Sequence, residues 1–196
     1  MRFAAVVLAA GPSSRMRGGL KLVEEVGGRS LVRRVAEAAL GSRCRPVVIV
    51  LGNMAERVRE ELPEGVEPVM NPDWRSGMSS SIRRGVEAVA GRASGAVICP
   101  GDMPFLRPET LDRLVEACGA GIAYCTVTGE VRSPAAFSSA FFGELMGLEG
   151  DRGAKEVVLR HAGIARPVMV DPLELLDVDS PEELELARSL AARLNL

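Results

Sequence analysis

Aromatic residues are scarce in this sequence: one Trp, one Tyr and five Phe make up 4% of 196 residues, whereas 47% are hydrophobic. A core must therefore be built from Val, Leu, Ala, Ile and Met, residues that suit parallel strands buried between helices. Charge of either sign is not in excess. The net value is −2, from 24 basic and 26 acidic side chains, which argues against a nucleic-acid surface with its usual basic excess. No apolar run approaches the ~18 residues that argue for a membrane span. The apolar start MRFAAVVLAAG lacks a signal-peptide cleavage pattern, so it reads as a first strand and the chain as cytoplasmic. The one histidine, His161, excludes a multi-histidine metal site. A Ser-His-Asp arrangement would need it, and no GxSxG elbow accompanies it. Cys44, Cys99, Cys118 and Cys125 form no CxxC pair and read as structural thiols in a reducing compartment. Lysine is rare as well. Against 22 arginines stand two lysines, Lys21 and Lys155, each just after a glycine-containing loop. Lys is a compact point charge that fits closely against a phosphate.

What is present is alternation. Buried apolar runs at 3–8, 46–51, 66–70, 95–99, 121–127 and 166–170 read as strands. Amphipathic stretches at 30–40, 54–62, 78–90, 108–118, 139–147, 153–161 and 181–194 read as helices. Ser30 is the expected N-cap of the first helix and Gly41 its terminator, and Pro108 suits a first helical turn. Strand–helix alternation predicts a three-layer α/β/α Rossmann-like fold with a mainly parallel, mixed sheet, one domain over residues 1–196. Ligands in such sheets bind beyond the carboxyl ends of strands, where the loops after 3–8, 66–70 and 95–99 lie. Residues 128–140 are the least regular and are expected to line the pocket as an excursion.

Several of these loops carry chemistry. Residues 8–21, LAAGPSSRMRGGLK, combine three glycines with Arg15 and Lys21 after a buried strand. Glycine lets backbone N–H groups approach phosphate oxygens. The spacing matches neither GxxxxGK[ST] nor GxGxxG, so this is a different phosphate loop. In CPGDMPF, Asp102 sits in a turn stiffened by Pro100 and Pro104, well placed to hold Mg2+, a hard cation that prefers oxygen. In NPDWRSGMSSSIRRG, serines open a helix whose positive end would face the site. Asn71 could read a base edge there, and Trp74 could stack on a ligand or cover a core edge. Asp179 precedes Ser180-Pro181 and reads either as part of a helix cap or as a second metal ligand. GDRGAK brings Asp151, Arg152 and Lys155 together.

In this order, LAAGPSSRM with Lys21, NPDWRSGMSSSI, PGDMP, GDRGA and DVDSPEEL resemble the molybdenum cofactor nucleotidyltransferases. They resemble most closely the branch that uses CTP, over roughly residues 3–188. The resemblance implies transfer of CMP from CTP to the terminal phosphate of molybdopterin, with release of pyrophosphate. It implies Leu8, Ala9, Ala10, Gly11, Ser13, Asn71, Gly77, Ser79 and Ser80 as nucleotide contacts. Arg15, Lys21 and Asp102 would be catalytic, with Asp102 and Asp179 on Mg2+. Ser133, Pro134, Asp151 and Lys155 would lie on the acceptor side. Two features depart from the family pattern. The first loop is one residue longer, with Arg17 after Met16, and Arg132-Ser133-Pro134 stands where many relatives have Gly-His-Pro.

The expected partners are small molecules, CTP or another nucleoside triphosphate and a molybdopterin-type acceptor. Neither nucleic acid nor membrane is expected, and contact with a molybdenum enzyme or its chaperone would be transient. The attacking phosphate is already an anion, so no strong general base is needed, in keeping with a site that lacks histidine. Two alternatives stay open on sequence. One is a transferase for GTP or for a sugar phosphate or other phosphorylated acceptor. The other is a non-catalytic accessory protein that binds the nucleotide or cofactor.

Overall fold

The computed structural model describes residues 1–12 and 20–196. Its strands are β1 (Phe3–Ala9), β2 (Glu25–Val26), β3 (Arg29–Ser30), β4 (Val47–Leu51), β5 (Glu67–Met70), β6 (Gly95–Pro100), β7 (Ile122–Thr126), β8 (Arg132–Ser138) and β9 (Arg166–Met169). Its helices are α1 (Leu31–Gly41), α2 (Ala55–Glu60), α3 (Met78–Val89), α4 (Pro108–Cys118), α5 (Phe142–Met146), α6 (Lys155–Arg160) and α7 (Pro181–Arg193). Among the described residues, seven strands form one sheet in the order β5-β4-β1-β6-β8-β7-β9, and β2 pairs with β3 separately. The sheet is parallel except at β8, which runs antiparallel to both β6 and β7. The expected α/β architecture with a mainly parallel, mixed sheet is the observed one.

The apolar runs sort by strand periodicity. Phe3, Ala5 and Val7 of β1 face one core layer with Ile49 and Val97. Ala4 and Val6 face the other with Val50 and Ile98. Both faces are covered, which is why these strands lack polar alternation. The first layer packs against α1 and α4 through Val35 and Leu114, the second against α3 and α6 through Val86 and Val157. Gly85 lets α3 lie directly on β1, because a Cβ there would collide with Val6. A third cluster joins Leu184 and Ala187 of α7 to Val26 of the β2–β3 hairpin and to Leu31 at the start of α1.

Four local expectations are corrected. Residues 128–140 are not merely an excursion, since they contain β8, with Ala135 to Ser138 buried. Ser133 and Pro134 concealed it, and the register shift between Tyr124 and Cys125 on β7 places them in a bulge, where a strand tolerates proline. Ser30 holds the N-cap position of α1 with extended backbone but makes no side-chain capping bond. Gly41 lies inside α1, which ends at Ser42. Helix 139–147 divides into a 3-10 turn over Ser139–Phe141 and the five-residue α5. Pro108 does open α4. All four cysteines are buried and unpaired.

Candidate functional site

β1 and β6 end side by side, with Leu8 opposite Pro100. The chain then turns tightly, the Gly101 N–H donating to the Leu8 carbonyl at 3.0 Å. This turn delivers Asp102 to the carboxyl edge of the sheet. A second segment reaches the same place from the far end of the sequence. The Val178 N–H donates to the Asp102 carbonyl at 3.0 Å, and the Val178 side chain is fully buried. Strand-like alternation across Val178 then leaves Asp177 and Asp179 on the open side. Glu183 accepts hydrogen bonds from the Asp179 and Ser180 amides at 2.7 and 2.8 Å, and Ser180 Oγ accepts from the Glu183 amide. Ser180 therefore caps α7 through a reciprocal box, and the Asp179 carboxylate is directed elsewhere.

It is directed at Lys21. Lys21 Nζ donates to Asp102 Oδ2 at 2.6 Å and to Asp179 Oδ1 at 2.7 Å. The lysine expected against a triphosphate thus bridges the two carboxylates expected on the metal. Burial alone would lower the pKa of the Lys21 amine. The charge and hydrogen bond of Asp102, followed by those of Asp179, outweigh it and hold the ammonium above the ordinary lysine value. Burial pushes the Asp102 carboxyl above its usual range despite Lys21, and the neighbouring charges of Asp179 and Asp177 push the same way. Asp102 Oδ1 is buried with no hydrogen-bond partner among the described residues. A buried, unsatisfied carboxylate oxygen costs free energy that a cation would recover.

Divalent metal fits this pair in one manner only. Among the described residues no group of three or more His, Cys, Asp or Glu side chains could hold an ion. Mg2+ is commonly held by one or two carboxylates, with substrate phosphates and water completing its shell. Asp102 and Asp179 suit that arrangement rather than a closed protein cage.

The carboxylates lie in a cleft of about 1060 Å³. Leu8, Ala10, Gly11, Gly77, Ser133, Asp151 and Lys155 line it. Ala9 does not; its side chain belongs to the core layer beneath. Pro134 is also absent from the lining. Asn71 is fully buried, and its amide donates to Ser80 Oγ and Ser81 Oγ while its carbonyl oxygen accepts from the Asp73 amide. Asn71 therefore braces the loop instead of reading a base edge. Ser79 and Ser80 are buried as well, and Ser81, one position further round the helix, reaches the cleft. The start of α3 is partly used within the protein, because the Ser79 and Ser80 amides donate to the carbonyls of Gly150 and Gly77. Gly77 has φ +108°, and a Cβ on it would strike the Gly150 backbone. The α3 start and the 150–155 loop are locked together for that reason. Trp74 packs on the core edge, with the Arg75 guanidinium 4.3 Å above its ring. Ser13 and Arg15 lie outside the described residues.

Sequence reasoning missed Asp177 and Arg75, both cleft-lining. The DVD spacing was a usable signal for Asp177, since alternation about a buried Val178 puts both carboxylates on one side. The described cleft is balanced in charge, Lys21, Arg75, Arg132 and Lys155 against Asp102, Asp151, Asp177 and Asp179. Phosphates and a metal could both be accommodated.

Comparison with known proteins gives a consistent answer. Residues 5–165 match the MobA-like NTP transferase domain. A homolog of Mycobacterium tuberculosis Rv0371c from Mycobacterium sp. strain JC1 is 30% identical, with TM-score 0.86, covering 99% of this chain and 100% of that one. A manganese complex of Rv0371C from M. tuberculosis is 28% identical, with TM-score 0.81, covering 96% and 99%. The bifunctional protein GlmU of Synechococcus sp. is 29% identical over 162 residues, 81% of this chain and 34% of that protein. This chain therefore spans about a third of that relative's length.

Proposed function

The chain belongs to the MobA-like NTP transferase family, and we propose that it transfers CMP from CTP to the terminal phosphate of molybdopterin, releasing pyrophosphate. The observation that carries a transfer reaction is Lys21 held between Asp102 and Asp179 beside an unsatisfied Asp102 oxygen. A compact ammonium and two carboxylates at the end of a parallel sheet provide for polyphosphate and a hard cation together. The choice of CTP and molybdopterin rests on the GMSSSI and GDRGAK segments of the sequence.

In this reading the nucleotide lies over Leu8, Ala10 and Gly11, with Ser81 beside it, and Asn71, Ser79 and Ser80 hold the turn in place. Ser133, Asp151 and Lys155, joined by Arg132, receive the acceptor. The acceptor phosphate attacks the α-phosphorus in line, and the bond to the bridging oxygen of pyrophosphate breaks. No proton need be removed from the nucleophile, so the residues act by positioning two anions and offsetting their charge. Lys21 and Arg15 stabilise the leaving pyrophosphate. Asp102 and Asp179 would hold Mg2+, which when bound neutralises phosphate charge; manganese in the Rv0371C structure supports a divalent ion. We assign this activity to one catalytic domain over residues 1–196.

Pyrophosphate release by the purified protein tests the reading, with Mg2+, molybdenum-loaded molybdopterin and CTP or GTP in parallel. Release with CTP alone is expected. Release with GTP alone would overturn the choice of base, and release with neither would overturn this transfer reaction.

A further inference from the structure

A cation already sits where the metal is expected. Lys21 Nζ lies 2.6 Å from Asp102 Oδ2 and 2.7 Å from Asp179 Oδ1, and it donates hydrogen bonds to both. The three side chains are 13%, 17% and 28% exposed respectively, so water screens them only in part. An ion bound directly by these two carboxylates must take oxygen atoms that the ammonium now uses. Two cations cannot approach them closely without repelling each other, and a metal would compete with Lys21 for both of these contacts. Removal of the lysine alone would leave two carboxylates facing each other over a few ångströms, an arrangement that strongly attracts a divalent ion.

We propose that Lys21 is a resident counter-ion that keeps divalent metal off Asp102 and Asp179 until a nucleoside triphosphate draws the ammonium away. Metal and nucleotide therefore load together, with the triphosphate supplying both a new partner for Lys21 and further ligands for the metal. The rest state stays charge-compensated without metal, which explains how a chain with no three-residue metal cluster among its described residues can keep its site assembled. The same exchange returns Lys21 to the carboxylates after pyrophosphate departs. The inference rests on reading Asp102 and Asp179 as the metal carboxylates, but not on the identity of the base or acceptor.

Direct Mn2+ binding to the full chain, read by the loss of the free-ion electron paramagnetic resonance signal, tests it without any turnover. In the absence of nucleotide, Lys21→Gln should bind Mn2+ on the order of tenfold or more tightly than the unaltered protein, because a nearby positive charge has gone. Lys21→Arg should remain weak, since it keeps that charge. Adding Asp102→Asn to Lys21→Gln should abolish the gained binding, which ties it to this site. A circular dichroism spectrum establishes that each variant is folded. Should Lys21→Gln prove unfolded, Lys21→Met gives the same comparison. Equal or weaker Mn2+ binding by folded Lys21→Gln and Lys21→Met would overturn the proposal. So would tight nucleotide-free binding by the unaltered protein. Failure of pyrophosphate release with CTP would instead overturn the substrate assignment and leave these binding results standing.

Discussion

Asp102 has two unlike carboxylate oxygens: a Lys21 partner on one and none described on the other. Burial holds its carboxyl above the usual range despite the Lys21 ammonium, so its charge is kept at a cost. Asp102→Asn retains an oxygen for Lys21 and removes the buried charge. It should lower pyrophosphate release by at least ~100-fold, the scale of losing one preorganised electrostatic group, while the melting temperature moves by no more than a few degrees. Near-normal turnover in a folded Asp102→Asn protein would remove Asp102 from the reaction. The cysteines illustrate the opposite outcome of burial. It raises the Cys118 and Cys125 thiols to about 12, which keeps them protonated and inert, as their lack of CxxC spacing suggested.

At the scale of elements, the site depends on connections that hold short segments to the sheet. Glu174 is one of them. It is buried in the 3-10 turn Pro172–Leu175, and its carboxylate accepts from Thr110 Oγ1 at 2.6 Å and the Arg107 amide at 3.1 Å. The start of α4, which has no side-chain cap of its own, is thereby capped from 64 residues away. The same turn leads directly into Asp177 and Asp179. Glu174→Ala leaves the buried Thr110 hydroxyl and the Arg107 amide, both at the start of α4, without this acceptor and should destabilise by about 1–3 kcal/mol, measured by urea unfolding. Glu174→Gln keeps an acceptor and should lose less. An alanine variant as stable as the parent would show that the turn is held by its apolar contacts instead. β8 was hidden at this same scale. Its buried AAF stretch is ordinary strand sequence, but Ser133-Pro134 reads locally as a break, and the bulge they form opposite Tyr124 and Cys125 of β7 accommodates it.

Over the whole molecule, the site joins residues from both ends of the chain. Lys21 follows β1, Asp102 follows β6 and Asp179 precedes α7, with sequence separations of 81 and 158 residues from Lys21. A ligand that bridges them should stabilise the entire fold. CTP with Mg2+ at about 100 times its Kd contributes roughly 2.7 kcal/mol. For a chain of this length that corresponds to a rise of about 5–10 °C in melting temperature. CTP without divalent ion should produce a much smaller rise, and Mg2+ alone almost none. Equal shifts for Mg2+ alone and for the pair would contradict joint loading. Among the described residues, no helix is long and apolar enough to cross a membrane.

The sequence by itself determined the architecture and most of the neighbourhood of the site. Continuous apolar runs and amphipathic helices are local patterns, and in a parallel sheet they place the loops after β1, β5 and β6 at one edge. The choice of Asp102 was legible because a carboxylate directly after a buried strand has little structural reason to be there. Other particulars were decided only in three dimensions. Asn71, read as a base contact, is fully buried and occupied by Ser80, Ser81 and Asp73. Ser81 rather than Ser79 or Ser80 reaches the cleft, because each step along a helix turns a side chain by about 100°, and the helix orientation is set by packing. Lys21 was placed against phosphate, yet it rests between two aspartates. Nothing in the sequence near Lys21 announces partners this distant; hydrogen bonding and charge made the contact only after the sheet had brought the ends together.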